Sequence, residues 1–85
     1  MTAFESLQEQ NFKNVQQAFV EALRVDSSEV TRDSSFQDLE IDSIELVELV
    51  VGLEEQLGIS LDMSQVQKCA TVGSLVDLIS AARNN

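Results

Sequence analysis

The sequence predicts an all-α fold: a small four-helix bundle, with three main helices, one short helix and a long first loop. The 85 residues include no proline and only three glycines, so turn residues are few. Hydrophobic residues make up 44% of the chain, which is typical of an ordered globular domain. Several segments repeat their apolar residues at helical spacing. Because a chain of this length buries one modest core, we predict a single domain over residues 1–85.

The helices are predicted in four segments. The first runs from about Phe4 to Leu23, and a serine- and aspartate-rich loop follows from Val25 to Ile41. The second helix runs from about Ser43 to Leu57, a short helix covers Met63 to Lys68, and the last extends from about Thr71 to Ala82. We expect three apolar residues of the loop to pin it onto the core: Val30, Phe36 and Leu39.

The ends of these helices have recognisable capping residues. Asp42 is followed three residues later by Glu45, which resembles a capping box and places the start of the second helix there. Gly58 is suited to the left-handed position after its last turn. Thr71 is the candidate N-cap of the last helix.

The second helix carries apolar residues on two opposite faces. One face is predicted to join the core and consists of Leu46, Leu49, Val50, Leu53 and Leu57. The other contains Ile44, Val47 and Val51 and is flanked by glutamates. This second face is either covered by the long loop or exposed, and an exposed apolar strip with an acidic rim is typical of a docking surface. Gly52 interrupts the helix; a close helix approach, room for a ligand or simple tolerance would each explain it.

The charge of the chain limits its partners. The formal net charge is −10, and the segment between Arg32 and Lys68 contains nine acidic residues and no basic one. Such a surface repels nucleic acid and anionic membranes and attracts basic proteins, although solubility alone would also explain it. The sequence shows no membrane span and no secretory signal, so we expect a cytoplasmic protein, or one in an organelle interior after processing.

No catalytic or metal site is predicted. The chain has no histidine, and no nucleophile with an adjacent base can be identified, so we expect it not to be an enzyme. A calcium loop beginning at Asp38 fails, because Ser43 stands where glycine is needed and Leu49 where the bidentate glutamate is needed. The single cysteine, Cys69, excludes an internal disulfide, and its apolar neighbours predict a buried, unreactive thiol.

The segment from Phe36 to Val50, FQDLEIDSIELVELV, resembles the attachment-site motif of acyl carrier proteins. That motif consists of a phenylalanine anchor, then Asp-Leu-Gly-x-Asp-Ser-Leu, then an acidic amphipathic helix. The resemblance extends over nearly the whole chain. It implies that Ser43, with Asp42 beside it, accepts 4'-phosphopantetheine from coenzyme A, and that the chain carries acyl groups as thioesters on this arm. A serine opening a helix is also a common N-cap, and both roles are compatible.

The resemblance also implies partners. We expect a phosphopantetheinyl transferase, which uses magnesium, and acyl-transferring and condensing enzymes with basic patches to bind a monomer. The predicted docking residues are Asp38, Asp42, Ile44, Glu45, Val47, Glu48, Val51, Glu54 and Glu55. The start at Met1 and the length suggest a free-standing carrier.

Four departures from the family pattern favour specialised, polyketide-type biosynthesis over fatty-acid synthesis. Glu40 replaces glycine, Ile44 replaces leucine, Asp62 stands where many fatty-acid carriers have proline, and the short helix lacks their acidic residues. The alternatives are a peptidyl carrier protein, or an acidic helical adaptor that binds basic partners without a covalent arm.

Overall fold

The computed structural model describes residues 3–83, and the side chains of residues 7–83. Its helices are α1 (Ala3–Leu23), α2 (Ser43–Leu57), α3 (Met63–Lys68) and α4 (Val72–Arg83), with one 3-10 turn at Ser27–Glu29 in the first loop. No β-strand occurs within residues 3–83, which confirms the all-α class with three main helices and one short one. The predicted domain ends, residues 1 and 85, lie outside the described range.

Both ends of α2 follow from its capping residues. The Asp42 carboxylate accepts a hydrogen bond from the Glu45 amide (2.7 Å), and the Glu45 carboxylate accepts one from the Asp42 amide (3.1 Å). Gly58 ends the helix with φ at 66°, in the left-handed region that glycine adopts without a steric penalty. The predicted capping box and stop are therefore confirmed, and Ser43 is fixed as the first residue of α2.

The core forms where α1 packs against α2 and α4. Phe19 of α1 and Phe36 of the loop stack with ring centroids 5.8 Å apart, which joins the loop to the helical core. The residues predicted on the core face of α2 lie there as expected: Leu49, Val50 and Leu53 are buried, and Leu46 and Leu57 pack against them. The rest of the buried apolar cluster comprises Val15, Val30, Val66, Val72, Leu75, Val76 and Ile79.

The first loop is also anchored through its backbone. The Phe36 amide donates to the Ala70 carbonyl and the Val72 amide to the Ser34 carbonyl, both at 2.9 Å. These bonds pair the loop with the junction between α3 and α4, where Thr71 accepts from the Ser74 amide at 3.2 Å as the predicted N-cap. Val30 and Phe36 are buried and Leu39 packs against the same core, so the predicted apolar anchors of the loop are confirmed. The main-chain bonds reinforce them.

A buried polar pair between α1 and α4 was not anticipated from the sequence. The Asn11 side-chain amide donates to the Ser80 hydroxyl at 2.9 Å, and this hydroxyl donates to the Val76 carbonyl, also at 2.9 Å. Because each group has a partner, the pair is compatible with burial in the core.

Two non-glycine residues adopt left-handed backbone conformations. Arg24, just after α1, and Glu40, just before α2, both have φ at 57°. A side chain at such a position costs about 1–2 kcal/mol relative to an ordinary conformation. The backbone at Glu40 therefore has a conformation that favours glycine, which is the usual residue at this position in the motif that the sequence resembles.

Glycine has different roles at two helical positions. A β-carbon on Gly52 of α2 would have no neighbour within 4 Å, so no close helix approach explains this glycine. A β-carbon on Gly73 of α4 would lie 3.0 Å from the Arg32 carbonyl oxygen, which accepts a hydrogen bond from the Gly73 amide at 2.9 Å. Gly73 thus permits the loop to approach α4.

Candidate attachment site and docking surface

Ser43, the predicted attachment residue, is exposed at the first turn of α2. The first amides of a helix have no partner within the helix, and the amide of Glu45 is already bound by Asp42. The amides of Ser43 and Ile44 therefore remain at a helix end that favours anions. An exposed hydroxyl at this place fits a phosphodiester.

A cleft of about 420 Å³ opens directly beside this serine. Ser43, Ile44, Val47 and Glu48 of α2 line one side, and Gln67 of α3 lines the other. The mixture of apolar side chains and an amide fits the phosphopantetheine arm implied by the sequence, which has both methyl and amide groups. The sequence did not single out Gln67 for this role, because only the folded chain brings this residue of α3 to the same cleft as the serine.

The second apolar face of α2 is exposed. Ile44, Val47 and Val51 expose 70%, 37% and 42% of their surfaces. The first loop instead packs through Phe36 onto Phe19, on the core side of the molecule. The interpretation that the loop covers this face is therefore wrong. We call these three residues the α2 strip.

The acidic residues predicted around the α2 strip fall into two groups. Asp38, Glu48 and Glu55 are exposed. Three others hold local structure: Asp42 and Glu45 cap α2, and the Glu54 carboxylate accepts a hydrogen bond from the Leu61 amide at 2.8 Å. Glu45 and Glu54 are half-buried, whereas Asp42 is exposed. Their contact with partners stays a prediction, and the first group is freer to pair with basic side chains.

The groups that titrate abnormally are structural. Hydrogen bonds from the Ser64 hydroxyl and amide lower the pKa of Asp62, which caps α3. Partial burial, aided by the charge of Asp77, raises the pKa of the Cys69 thiol, so the thiolate is disfavoured. Cys69 is half-buried rather than fully buried as predicted, and its thiol contacts the Gln65 carbonyl at 3.5 Å. Among residues whose side chains are described, no three acidic or cysteine side chains cluster as metal ligands.

Comparison with known proteins identifies the family. Residues 13–79 match the family described as "Phosphopantetheine attachment site". An acyl carrier protein of Petrotoga mobilis is 39% identical over 74 residues, which cover 86% of this chain and 87% of the relative. The chain belongs to the acyl carrier protein family. Its members are carriers, and 4'-phosphopantetheine is their covalently attached cofactor.

Two further acyl carrier proteins agree with this assignment. That of Rubrobacter xylanophilus is 40% identical over 72 residues, covering 84% of this chain and 89% of the relative. The solution structure of the holo acyl carrier protein from Geobacter metallireducens aligns with a TM-score of 0.76 and 28% identity, over 87% of this chain and 86% of that one. The family resemblance seen in the sequence is confirmed, together with the fold. Within the described part of the chain, no helix has the length and apolarity needed to cross a membrane.

Proposed function

We propose that this member of the acyl carrier protein family carries its 4'-phosphopantetheine arm on Ser43. The observation that supports this most directly is the exposed hydroxyl at the first residue of a capped helix, beside a cleft and inside the matched residues 13–79. When attached, the arm supplies a thiol that holds acyl groups as thioesters. The chain presents this arm and is recognised by the enzymes that act on it.

The local structure suits Ser43 for this role. Ser43 is exposed, which leaves it open to a transferase, and the amides of Ser43 and Ile44 lie in the first turn of the helix, where an anion is favoured. The reciprocal bonds between Asp42 and Glu45 fix the backbone of the first turn, from which the Ser43 side chain projects. Asp42 is therefore a positioning residue in this proposal.

Partner enzymes dock on the α2 strip and its acidic rim. The apolar centre supplies affinity, and the charged rim steers basic partners towards it. The partners expected are a phosphopantetheinyl transferase and acyl-transferring and condensing enzymes, each with a basic patch. We expect the chain to act as a monomer, because two copies that each carry a net charge of −10 repel one another. A cytoplasmic location remains the prediction made from the sequence.

The pathway proposed is specialised, polyketide-type biosynthesis. The backbone at Glu40 is left-handed although this residue has a side chain, whereas the motif that the sequence resembles has glycine at this position. The short helix α3 presents Gln67 to the serine cleft and has no acidic residue of its own. These differences favour condensing enzymes other than those of fatty-acid synthesis. Comparing the rates at which malonyl-loaded chain is used by a polyketide and by a fatty-acid condensing enzyme tests this choice; faster use by the fatty-acid enzyme would contradict it.

Intact-mass measurement tests the attachment site. The purified chain is incubated with coenzyme A, magnesium and a broad-specificity phosphopantetheinyl transferase. Wild type and Ser60→Ala, a matched loss of an exposed serine hydroxyl after α2, should each gain one phosphopantetheine mass. Ser43→Ala should gain none. If wild type stays unmodified, the chain is better described as an acidic adaptor, and a loaded Ser43→Ala protein would refute the site.

A further inference from the structure

A second groove lies between α1 and α2, separate from the serine cleft. Its volume is about 430 Å³. Buried Leu49 and Leu53 and half-buried Ala18 give it an apolar floor. The remaining lining residues are Gln17, Glu21, Ala22, Glu48, Gly52 and Gln56.

Gly52 keeps this groove open. The residue is exposed, and a β-carbon there would meet nothing within 4 Å, so neither packing nor backbone conformation requires glycine at this point. Glycine inside a helix costs about 1 kcal/mol relative to alanine. The absence of a side chain at Gly52 leaves space between α1 and α2.

The groove is suited to a long cationic side chain. Glu21 of α1 and Glu48 of α2 supply carboxylates, and no basic residue lines the groove. An arginine or lysine combines an apolar stem with a charged end, so its stem matches the apolar floor and its end pairs with the carboxylates. The groove also continues a surface already described, because Glu48 lines both it and the serine cleft.

We infer that this groove receives an arginine or lysine side chain of the phosphopantetheinyl transferase. The inference rests on the proposed loading of Ser43. Enzymes that act on the arm's thiol work at the far end of a flexible arm, whereas the transferase must reach the Ser43 oxygen itself. Gly52 lies nine residues from Ser43, about 13 Å along the helix axis, within the span of an enzyme seated on Ser43. The transferase contact therefore extends from α2 onto α1.

Loading kinetics on two groove variants test the inference. Glu21→Gln removes one charge at nearly constant size, and Glu9→Gln is its matched control, exposed on the same helix but outside the groove. Gly52→Leu fills the groove, and Ala81→Leu places the same side chain at an exposed position on α4, where it adds about three carbons instead of four. Thermal unfolding of every variant checks that the fold is retained.

We expect Glu21→Gln to lower kcat/KM for loading about two- to five-fold, the effect of one exposed ion pair, and to weaken its salt dependence. Gly52→Leu should lower kcat/KM for loading about ten-fold, because the leucine occupies the groove and the transferase side chain can no longer pack there. The controls Glu9→Gln and Ala81→Leu should stay near wild type. The inference is overturned if both groove variants load like wild type, or if Glu9→Gln slows loading as much as Glu21→Gln. Normal loading of wild type at Ser43 in those cases would leave the proposed function standing, whereas failure of wild type to load would remove both.

Discussion

Val47 and Val50 lie three residues apart on α2, yet Val47 exposes 37% of its surface while Val50 is completely buried. The same substitution at these two positions therefore separates docking from stability. Val50→Ala should lower the free energy of unfolding by about 2 kcal/mol, because it removes buried methyl groups and leaves a cavity. Val47→Ala should cost less than about 1 kcal/mol and instead weaken transferase binding.

Chemical denaturation and loading kinetics on both variants check this prediction. Leu49→Ala serves as a second core control and should cost about 2–5 kcal/mol, as buried leucines do. If Val47→Ala unfolds as readily as Val50→Ala and leaves the transferase affinity unchanged, the α2 strip is part of the core and not a docking surface.

Substitutions at Asp42 should separate capping from charge. Asparagine caps helices about as well as aspartate, so Asp42→Asn should stay near wild-type stability but load more slowly, since one carboxylate beside Ser43 is lost. Asp42→Ala should load more slowly too, and its free energy of unfolding should also fall by about 1 kcal/mol because alanine cannot cap the helix. Urea unfolding and initial loading rates give the two readouts. Equal loading rates for wild type and Asp42→Asn would contradict a role for this charge in docking.

The two helical glycines should respond to alanine in opposite directions. Gly52→Ala should raise the unfolding free energy by about 1 kcal/mol, because the new methyl group meets no neighbour and helix propensity improves. Gly73→Ala should lower it by about 1–3 kcal/mol, because the methyl group would press on the Arg32 carbonyl. Melting temperatures measure both changes, and a stabilised Gly73→Ala protein would show that the loop yields easily.

Glu40→Gly should stabilise the chain by about 1 kcal/mol, because glycine adopts the left-handed backbone without the penalty a side chain incurs. Glu40→Ala is the control: it removes the same charge but keeps a β-carbon, so it should gain much less. Thermal unfolding of the pair distinguishes backbone strain from charge repulsion. Equal gains in both variants would assign the effect to charge.

Salt should raise the melting temperature. The net charge of the chain is −10, and within the described side chains one ion pair forms, Arg32 to Asp77 at 2.9 Å, with both partners largely exposed. Repulsion among the acidic residues is stronger in the folded chain than in the expanded one, and added ions screen it. Scanning calorimetry in sodium chloride and in magnesium chloride of equal ionic strength measures the effect. No rise in either salt would contradict the prediction.

The sequence predicted the helices well because their boundaries depend on local chemistry. Asp42, Glu45, Gly58 and Thr71 each satisfy helix-end groups through neighbours a few residues away, so their roles can be read from spacing alone. The opposite apolar faces of α2 are equally local, since they follow from 100° per residue.

Other features depend on contacts distant in sequence. The pairing of Asn11 with Ser80 and the placement of Gln67 beside Ser43 arise only when separate helices pack together. The spacing of α2 could not decide whether its second face was covered, because that depended on where Phe36 inserted. Left-handed backbone at Glu40 was likewise not predicted, because glutamate itself gives no local signal for it; the glycine that the family motif has at this position was the one indication.

The hydrogen bonds from Phe36 to Ala70 and from Val72 to Ser34 join segments more than thirty residues apart. During synthesis, α2 and its serine therefore emerge from the ribosome well before the residues that hold the first loop in place. A chain interrupted before Ala70 would contain Ser43 but lack the backbone partner of Phe36, as well as all of α4. We expect loading to follow completion of the polypeptide, because the first loop that leads into Ser43 is held in place only after Ala70 and Val72 have been added.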